Sequence, residues 1–331
     1  MPDLLLPLLA LLVGIIGLLW GADRFVAGSA GAARNFGISP LIIGLTIVSV
    51  GTSAPEVIVS VNAALKNAGE LAVGNALGSN LANMGLVLGI TALVAPIPVQ
   101  KHLAREESPV LLLITLLAGA ALYDAFLGRG ESLLLAFLFI PLITVTVIYK
   151  SKHPNPEEVE EGEEIPDISM TAAILWFALG LVILLASAEM TVWAAKSIAL
   201  SLGISELVVG LTVVAIGTSL PELAASVMSA IRGHHDIAVG NVFGSNLFNL
   251  LLVMTSAGAI SPMALGSDVF NRDYLSMLIM TVLMIALVIA ALHKGQKKGL
   301  QSRISRRAGA ILLIMYGLYY VLLGSTLASG S

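Results

Sequence analysis

Long apolar runs alternate with short polar stretches over the whole chain. Of its 331 residues, 57% are hydrophobic and only 11% are charged, whereas an average soluble protein is roughly 25% charged. A helix needs about 20 mostly apolar residues to cross a bilayer, and the runs supply ten such segments. The pattern therefore predicts an all-α polytopic membrane protein with ten transmembrane helices.

The predicted segments form two groups of five on either side of a polar linker. We expect Leu4–Gly21, Pro40–Leu65, Leu71–Val94, Pro109–Tyr123 and Ser132–Tyr149, then Met170–Leu200, Leu207–Ile231, Ile237–Ile260, Tyr274–Leu292 and Ala308–Leu327. Gly, Pro and Asn predict breaks in segments two, three, seven and eight, at Gly51–Pro55, Gly78–Asn80, Gly217–Pro221 and Gly244–Asn246. This gives a first unit over 1–149, a linker over 150–168 and a second unit over 169–331.

The linker between the two units is strongly acidic. It carries Glu157, Glu158, Glu160, Glu161, Glu163, Glu164 and Asp167. A regulatory Ca²⁺ site is one interpretation, but the Asp-x-Asp-x-Asp-Gly loop that would fix its ligands is missing. We interpret the linker as a solvated connector.

The two units are copies of one another. Glu222 lies 166 positions after Glu56, and at that offset 30 of the 74 positions from Asp23 to Pro96 are identical without a gap. Five segments fall within one copy, and an odd number places the second copy upside down in the membrane. The sequence therefore predicts two inverted five-helix repeats with a site at their interface near the bilayer midplane.

Basic residues predict the orientation. Loops after odd-numbered segments hold thirteen Lys and Arg, Arg24 and Arg34 among them, and the opposite side holds four. Because cytoplasmic loops carry the excess, we expect the linker in the cytoplasm and both termini outside a cell membrane.

Each copy places one carboxylate inside an apolar segment. Gly51-Thr52-Ser53-Ala54-Pro55-Glu56 and Gly217-Thr218-Ser219-Leu220-Pro221-Glu222 are nearly the same stretch. A charge at that depth costs about 2.5–3.5 kcal/mol on insertion scales, and no basic residue lies in either segment to pair with it. Glycine and proline there end one half-helix and start another, and this frees backbone carbonyls that can bind a cation.

The partner segments add neutral oxygen atoms. Asn75, Ser79 and Asn83 follow each other at i, i+4 and i+8, as do Asn241, Ser245 and Asn249. Cysteine is absent and all five histidines lie at segment ends or in loops. Oxygen ligands alone select hard cations such as Na⁺, Ca²⁺ or Mg²⁺, and flexible sites suit Ca²⁺ better than Mg²⁺.

Other classes fit the sequence less well. A cation channel could use the same oxygens, but an inverted repeat within one chain favours alternating access. An intramembrane hydrolase would need a nucleophile–base pair or a metal-activated water, and no His or Cys lies near either carboxylate in the sequence, so we do not expect an enzyme. No basic patch with interleaved aromatics indicates nucleic acid, and nothing indicates a cofactor or an obligate protein partner.

The paired Gly-Thr-Ser-x-Pro-Glu and Gly-Asn-x-x-Gly-Ser-Asn motifs resemble the repeats of the calcium/cation antiporter superfamily, most closely its prokaryotic sodium/calcium exchangers. The resemblance implies Na⁺/Ca²⁺ antiport, with segments two, three, seven and eight around the ions and long tilted first and sixth helices. The ligand positions that it implies are Ser49, Thr52, Ser53, Glu56, Ser79, Asn83, Ala215, Thr218, Ser219, Glu222, Ser245 and Asn249.

Two departures bear on the coupling ion. Some superfamily members carry Asp where this chain has Asn249, and that Asp is associated with potassium dependence. The proton/calcium branch usually carries its acidic residue on the Gly-Asn helix, and neither Gly-Asn stretch carries one here. The resemblance therefore implies Na⁺ coupling without K⁺, and H⁺/Ca²⁺ antiport is the alternative.

Overall fold

The computed structural model describes residues 4–152, 167–203, 215–299 and 301–329. The described residues of the first half of the chain form six helices and two short strands. They are α1 (Leu5–Phe36), α2 (Pro40–Thr52), α3 (Ala54–Leu65), α4 (Gly69–Val94), β1 (Ile97–Pro98), α5 (Ser108–Leu122, after a π turn at Leu103–Glu107), β2 (Phe126–Leu127) and α6 (Arg129–Lys152).

The second half repeats this order. It contains α7 (Met170–Ser201), α8 (Ala215–Thr218), α9 (Leu220–Ile231), α10 (His235–Ile260), β3 (Met263–Ala264), α11 (Leu275–Lys298, after a π turn at Val269–Tyr274), β4 (Arg303–Ile304) and α12 (Arg306–Ser329). Most of the predicted acidic linker, and residues 207–214 of the predicted seventh segment, lie outside the described residues.

Element boundaries recur at the sequence offset of 166. Helices α3 and α4 match α9 and α10 end for end, and strand β1 matches β3. The strands pair across the copies, β1 with β4 and β2 with β3, both antiparallel. Each copy therefore supplies one strand to each pair, and the pairs join the two halves outside the helices.

Helices α1 and α7 pack along each other. A Cβ added at Gly21 would lie 2.7 Å from the backbone nitrogen of Leu184, and one added at Gly14 or Gly28 would also collide with α7. Small residues allow this close approach, so these glycines serve helix packing. The helix is longer than the first predicted segment, Leu4–Gly21, because it continues to Phe36 and ends only at Gly37, which adopts a left-handed conformation.

The charged residues Asp23 and Arg24, which follow the end of the predicted segment, lie inside α1. Arg24, predicted in a loop, lies in the helix, and its guanidinium carbon is 4.4 Å from the ring centroid of Trp176 and 5.7 Å from that of Trp20. Stacking on aromatic rings stabilises an arginine at partial burial. Asp23 pairs with Arg232, which follows α9.

The breaks predicted at Gly78–Asn80 and Gly244–Asn246 are wrong. Helices α4 and α10 run through both stretches and instead contain π turns, at Asn83–Val87 and Asn249–Val253. Glycine is tolerated inside a helix at a cost of about 1 kcal/mol, and at Gly244 its missing side chain is needed. A Cβ there would lie 2.6 Å from Ser49 Oγ and even closer to Leu45 O.

Among the described residues, seven helices are long and apolar enough to span a membrane, or eight if the bent pair α2–α3 counts as one span. Their outer faces are apolar and exposed, as at Leu12, Ile140, Val182 and Val321. The most enclosed of these helices are α4 and α10. A helical membrane protein built around these two helices follows from this arrangement.

Candidate ion-binding site

Each acidic side chain begins a half-helix at a break. Ser53 is non-helical and separates α2 from α3, which are bent by 45°, and Ser219 separates α8 from α9 in the same way. Pro55 and Pro221 fit the first turns, where no backbone N–H is needed. Glu56 and Glu222 therefore occupy the first turns of α3 and α9 and are each only 1% exposed.

The two carboxyl groups are linked through the break of the first copy, where Ser53, three residues before Glu56, contacts Glu222. Within the described part of the chain, neither forms an ion pair with a basic side chain. Glu222 Oε1 accepts a hydrogen bond of 2.8 Å from Ser53 Oγ, so a serine of the first copy contacts the acid of the second. One carboxyl oxygen of each acid is buried and has no hydrogen-bond partner among the described residues; these are Glu56 Oε2 and Glu222 Oε2.

Two asparagines fasten the acidic half-helices to α4 and α10. Asn75 Nδ2 donates to Glu56 O and Ser60 Oγ, both at 3.2 Å. Asn241 Nδ2 donates equivalently to Glu222 O at 3.4 Å and to Ser226 Oγ at 3.0 Å. Each asparagine thus holds the backbone of the acidic residue in its own copy.

Asn241 also joins the two copies. Its Oδ1 accepts a hydrogen bond of 3.1 Å from Thr52 Oγ1, one helical turn before Glu56. The predicted ligand Thr52 is therefore partly committed to protein contacts, as its hydroxyl also lies 3.4 Å from Ser49 O.

The π turns place two further amides against the acidic half-helices. Asn83 begins one π turn and Asn249 the other. The turn at Asn83 packs on α9, which carries Glu222, and the turn at Asn249 packs on α3, which carries Glu56. Both amide groups are buried, and neither their nitrogen nor their oxygen has a partner among the described residues. Single π turns are frequent at functional sites because they re-aim side chains.

The remaining predicted ligands are hydroxyls and two backbone carbonyls. Ser79 is buried on α4, Ser245 Oγ and Ser219 Oγ are buried without a partner, and Thr218 is half-buried at the end of α8. The carbonyl of Ser49 accepts from Ser53 N at 3.0 Å, whereas Ser219 N donates to Ile216 O rather than to Ala215 O. The first half-helix ends at Thr52.

The donor set suits a hard cation. Buried polar groups normally have hydrogen-bond partners, yet eight unpartnered atoms belong to predicted ligands: Glu56 Oε2, Asn83 Oδ1 and Nδ2, Ser219 Oγ, Glu222 Oε2, Ser245 Oγ, and Asn249 Oδ1 and Nδ2. No cluster of three or more His, Cys, Asp or Glu side chains occurs in the described ranges. The site thus combines two acids with neutral oxygens, which favours Na⁺ or Ca²⁺ over transition metals.

Sequence reasoning gave too little weight to the residues that position the acids. Asn75 and Asn241 were recognised only as members of a polar stripe, and Ser60 and Ser226 were not singled out. The signal was present, since each pair matches at the 166 offset and each serine lies four residues after its glutamate.

Comparisons with known proteins agree with this geometry. The family model described as sodium/calcium exchanger protein matches residues 6–148 and 172–324. The chain is 44% identical over 319 residues to the putative antiporter CaxA of Alkalimonas amylolytica, covering 95% of this chain and 98% of that one. It is 41% identical over 285 residues to the inner membrane protein YrbG of Escherichia coli, covering 85% and 88%.

A solved structure of the sodium-calcium exchanger NCX_Mj is similar over nearly the whole fold. The TM-score is 0.81 at 32% sequence identity, and the match covers 97% of this chain and 99% of that one. Paired acidic half-helices, a repeated helix order and these matches lead to one conclusion: the chain belongs to the sodium/calcium exchanger protein family.

Proposed function

We propose that the protein is a secondary active antiporter that expels Ca²⁺ from the cytoplasm in exchange for Na⁺. One observation carries this proposal. Glu56 and Glu222 are both buried, and within the described residues neither forms an ion pair with a basic side chain. Other predicted ligands near them have buried oxygens without hydrogen-bond partners there. The relative NCX_Mj, named a sodium-calcium exchanger, supports the choice of ions. No cofactor or enzymatic step is needed.

Competition for one set of oxygens would couple the two ions. The ligands in this proposal are the side chains of Thr52, Ser53, Glu56, Ser79, Asn83, Thr218, Ser219, Glu222, Ser245 and Asn249 with the carbonyls of Ser49 and Ala215. Two carboxylates neutralise one Ca²⁺ or share several Na⁺. With its charge neutralised, the occupied site can be enclosed during the change between access states. Enclosing two carboxylates without a cation would be costly.

The proposal includes ten transmembrane segments in two inverted repeats. The recurrence of helix boundaries at 166 positions supports the repeat, and the excess of basic residues in odd-numbered loops supports cytoplasmic placement of the linker. The relative named an inner membrane protein supports a cell-membrane location. We retain the units 1–149 and 169–331.

The direct test is ⁴⁵Ca²⁺ uptake into proteoliposomes loaded with Na⁺, with K⁺, or with an imposed pH gradient. Uptake that requires an outward Na⁺ gradient is the expected result. Uptake driven by the proton gradient alone would contradict Na⁺ coupling and assign H⁺/Ca²⁺ antiport to the same site.

The same vesicles test alternating access. An antiporter that cannot change access state with an empty site requires a counter-ion on the opposite side of the membrane. Vesicles loaded only with K⁺ should therefore take up no ⁴⁵Ca²⁺ at zero membrane potential. Rapid flux that needs no counter-ion and does not saturate would instead identify a channel.

A further inference from the structure

One charged pair joins the long helix of the first copy to the acidic half-helix of the second. Arg232, which caps the C-terminus of α9, donates through Nε to Asp23 Oδ1 of α1 at 2.7 Å, and its Nη2 contacts the same carboxylate. The pair thus fastens α1 to the half-helix that begins at Glu222.

The repeat supplies a second pair of the same kind. At the offset of 166, Asp23 matches Glu189 on α7, and Lys66 matches Arg232. Lys66 caps the C-terminus of α3, the half-helix that begins at Glu56. Both side chains are exposed, and within the described ranges they form no ion pair. One of two equivalent ion pairs is therefore formed.

Helix packing shows the same inequality. Helix α1 packs against α9, whereas α7 touches the equivalent α3 no more than marginally in the described residues. Ala225 on α9 is 0% exposed in the cluster that it shares with Leu18, Ala22 and Phe25 of α1. Its counterpart on α3, Val59, is 36% exposed. The pair of long helices, α1 and α7, therefore packs closely against α9 of the second copy and leaves the equivalent face of α3 in the first copy exposed.

An inverted-repeat architecture explains why the two copies have different surroundings. In such transporters, one bundle rocks against the other around a fixed site, so the opposite-facing state exchanges the environments of the two copies. We propose that Asp23–Arg232 and Glu189–Lys66 are alternative ion pairs, each formed in only one of the two access states. This inference rests on the proposed alternating access.

The strength of the pairs suits switching. Arg232 is more than half exposed and Asp23 about one-fifth, and exposed ion pairs contribute little. Each pair would bias the two states by roughly two- to five-fold, which shifts their populations without locking either one.

Cross-linking tests the exchange without transport. The chain has no native cysteine, so Lys66→Cys with Glu189→Cys introduces the only reactive pair. A short bifunctional thiol reagent is suitable, because a disulfide needs Cα atoms closer than an Arg–Asp pair requires. We expect slow cross-linking in the otherwise native chain, and an about two- to five-fold faster rate after Asp23→Asn, since the formed pair then no longer holds the present state.

Three further variants make the result specific. Exchange of charges, Asp23→Arg with Arg232→Asp, should return the cross-linking rate to the native level. Asp268→Asn, which removes an ion pair with Arg272 elsewhere in the chain, should leave the rate unchanged. In the reciprocal experiment, Lys66→Gln should accelerate cross-linking of Asp23→Cys with Arg232→Cys.

The inference is overturned if Lys66→Cys and Glu189→Cys never cross-link, or if Asp23→Asn does not change their rate. Failure of the proposed function would look different, because the pairs would still exchange while Na⁺-driven Ca²⁺ uptake was absent.

Discussion

The acidic residues are chemically equivalent but have unequal surroundings. Glu222 accepts a hydrogen bond from Ser53, whereas Ser219, the counterpart of Ser53, has no partner for its buried hydroxyl among the described residues. The site is thus asymmetric although its sequence is repeated. Removing each serine in turn should reveal that asymmetry.

Ser53→Ala should destabilise the ion-free protein, since it removes a buried hydrogen bond worth on the order of 1–2 kcal/mol. Ser219→Ala is the matched control and should be neutral or slightly stabilising, because it removes a buried hydroxyl without a partner. Thermal melting in buffer free of Na⁺ and Ca²⁺ measures both. Equal losses in the two variants would contradict the assigned hydrogen bond.

The asparagines that hold the acids should differ in importance. Asn241 forms hydrogen bonds to both its own half-helix and Thr52 of the other copy, whereas within the described residues the hydrogen bonds of Asn75 all go to its own half-helix. We expect Asn241→Ala to weaken apparent Ca²⁺ affinity about tenfold and Asn75→Ala about threefold, because Asn241 loses the additional hydrogen bond that joins the two copies. Competition binding of ⁴⁵Ca²⁺ to folded, monodisperse protein measures both, and equal effects would refute the bridging role.

Residue identity was the most predictable level of the site. Glu56, Glu222, Asn83 and Asn249 stand out because polar groups in apolar segments are costly, and the structure buries all four. The hydrogen bond from Thr52 to Asn241 was not predictable, because it depends on how the two copies pack against each other. No pattern along the chain encodes that packing.

At the scale of elements, the π turns matter more than the expected breaks. The π turns at Asn83–Val87 and Asn249–Val253 each begin at a buried asparagine and lie against the half-helix of the other copy. Glycines at 78 and 244 predicted an interruption that does not occur. Local propensity could not distinguish a helix break from a glycine that permits close helix packing, since both uses favour the same residue.

Close packing of α10 on α2 gives a prediction about Gly244. Gly244→Ala places a Cβ against Leu45 O, which is backbone and cannot move aside cheaply. We expect destabilisation of about 1–3 kcal/mol, typical of overpacking, seen as a lower melting temperature. Gly317→Ala on α12 has no atom within 4 Å of its new Cβ and should be neutral or slightly stabilising.

At the scale of the molecule, the repeat is the most predictable feature, and the proposed alternation between two access states depends on it. An ungapped offset of 166 positions predicted helix boundaries that recur residue for residue in α3, α4, α9 and α10. The sequence could not reveal which copy is closed by the long helices, because that choice is a property of conformation. Two nearly equal half-sites in unequal surroundings fit a protein that alternates between states.

The most direct measurement is equilibrium binding of ⁴⁵Ca²⁺ to the purified protein, displaced by Na⁺, in the native chain and in Glu56→Gln and Glu222→Gln. Glutamine keeps the size of each side chain and removes its charge. The account predicts Na⁺-displaceable binding in the native chain and its loss in both variants, because one remaining carboxylate cannot neutralise a buried divalent ion. Undiminished, Na⁺-displaceable binding in either variant would contradict the paired-carboxylate site.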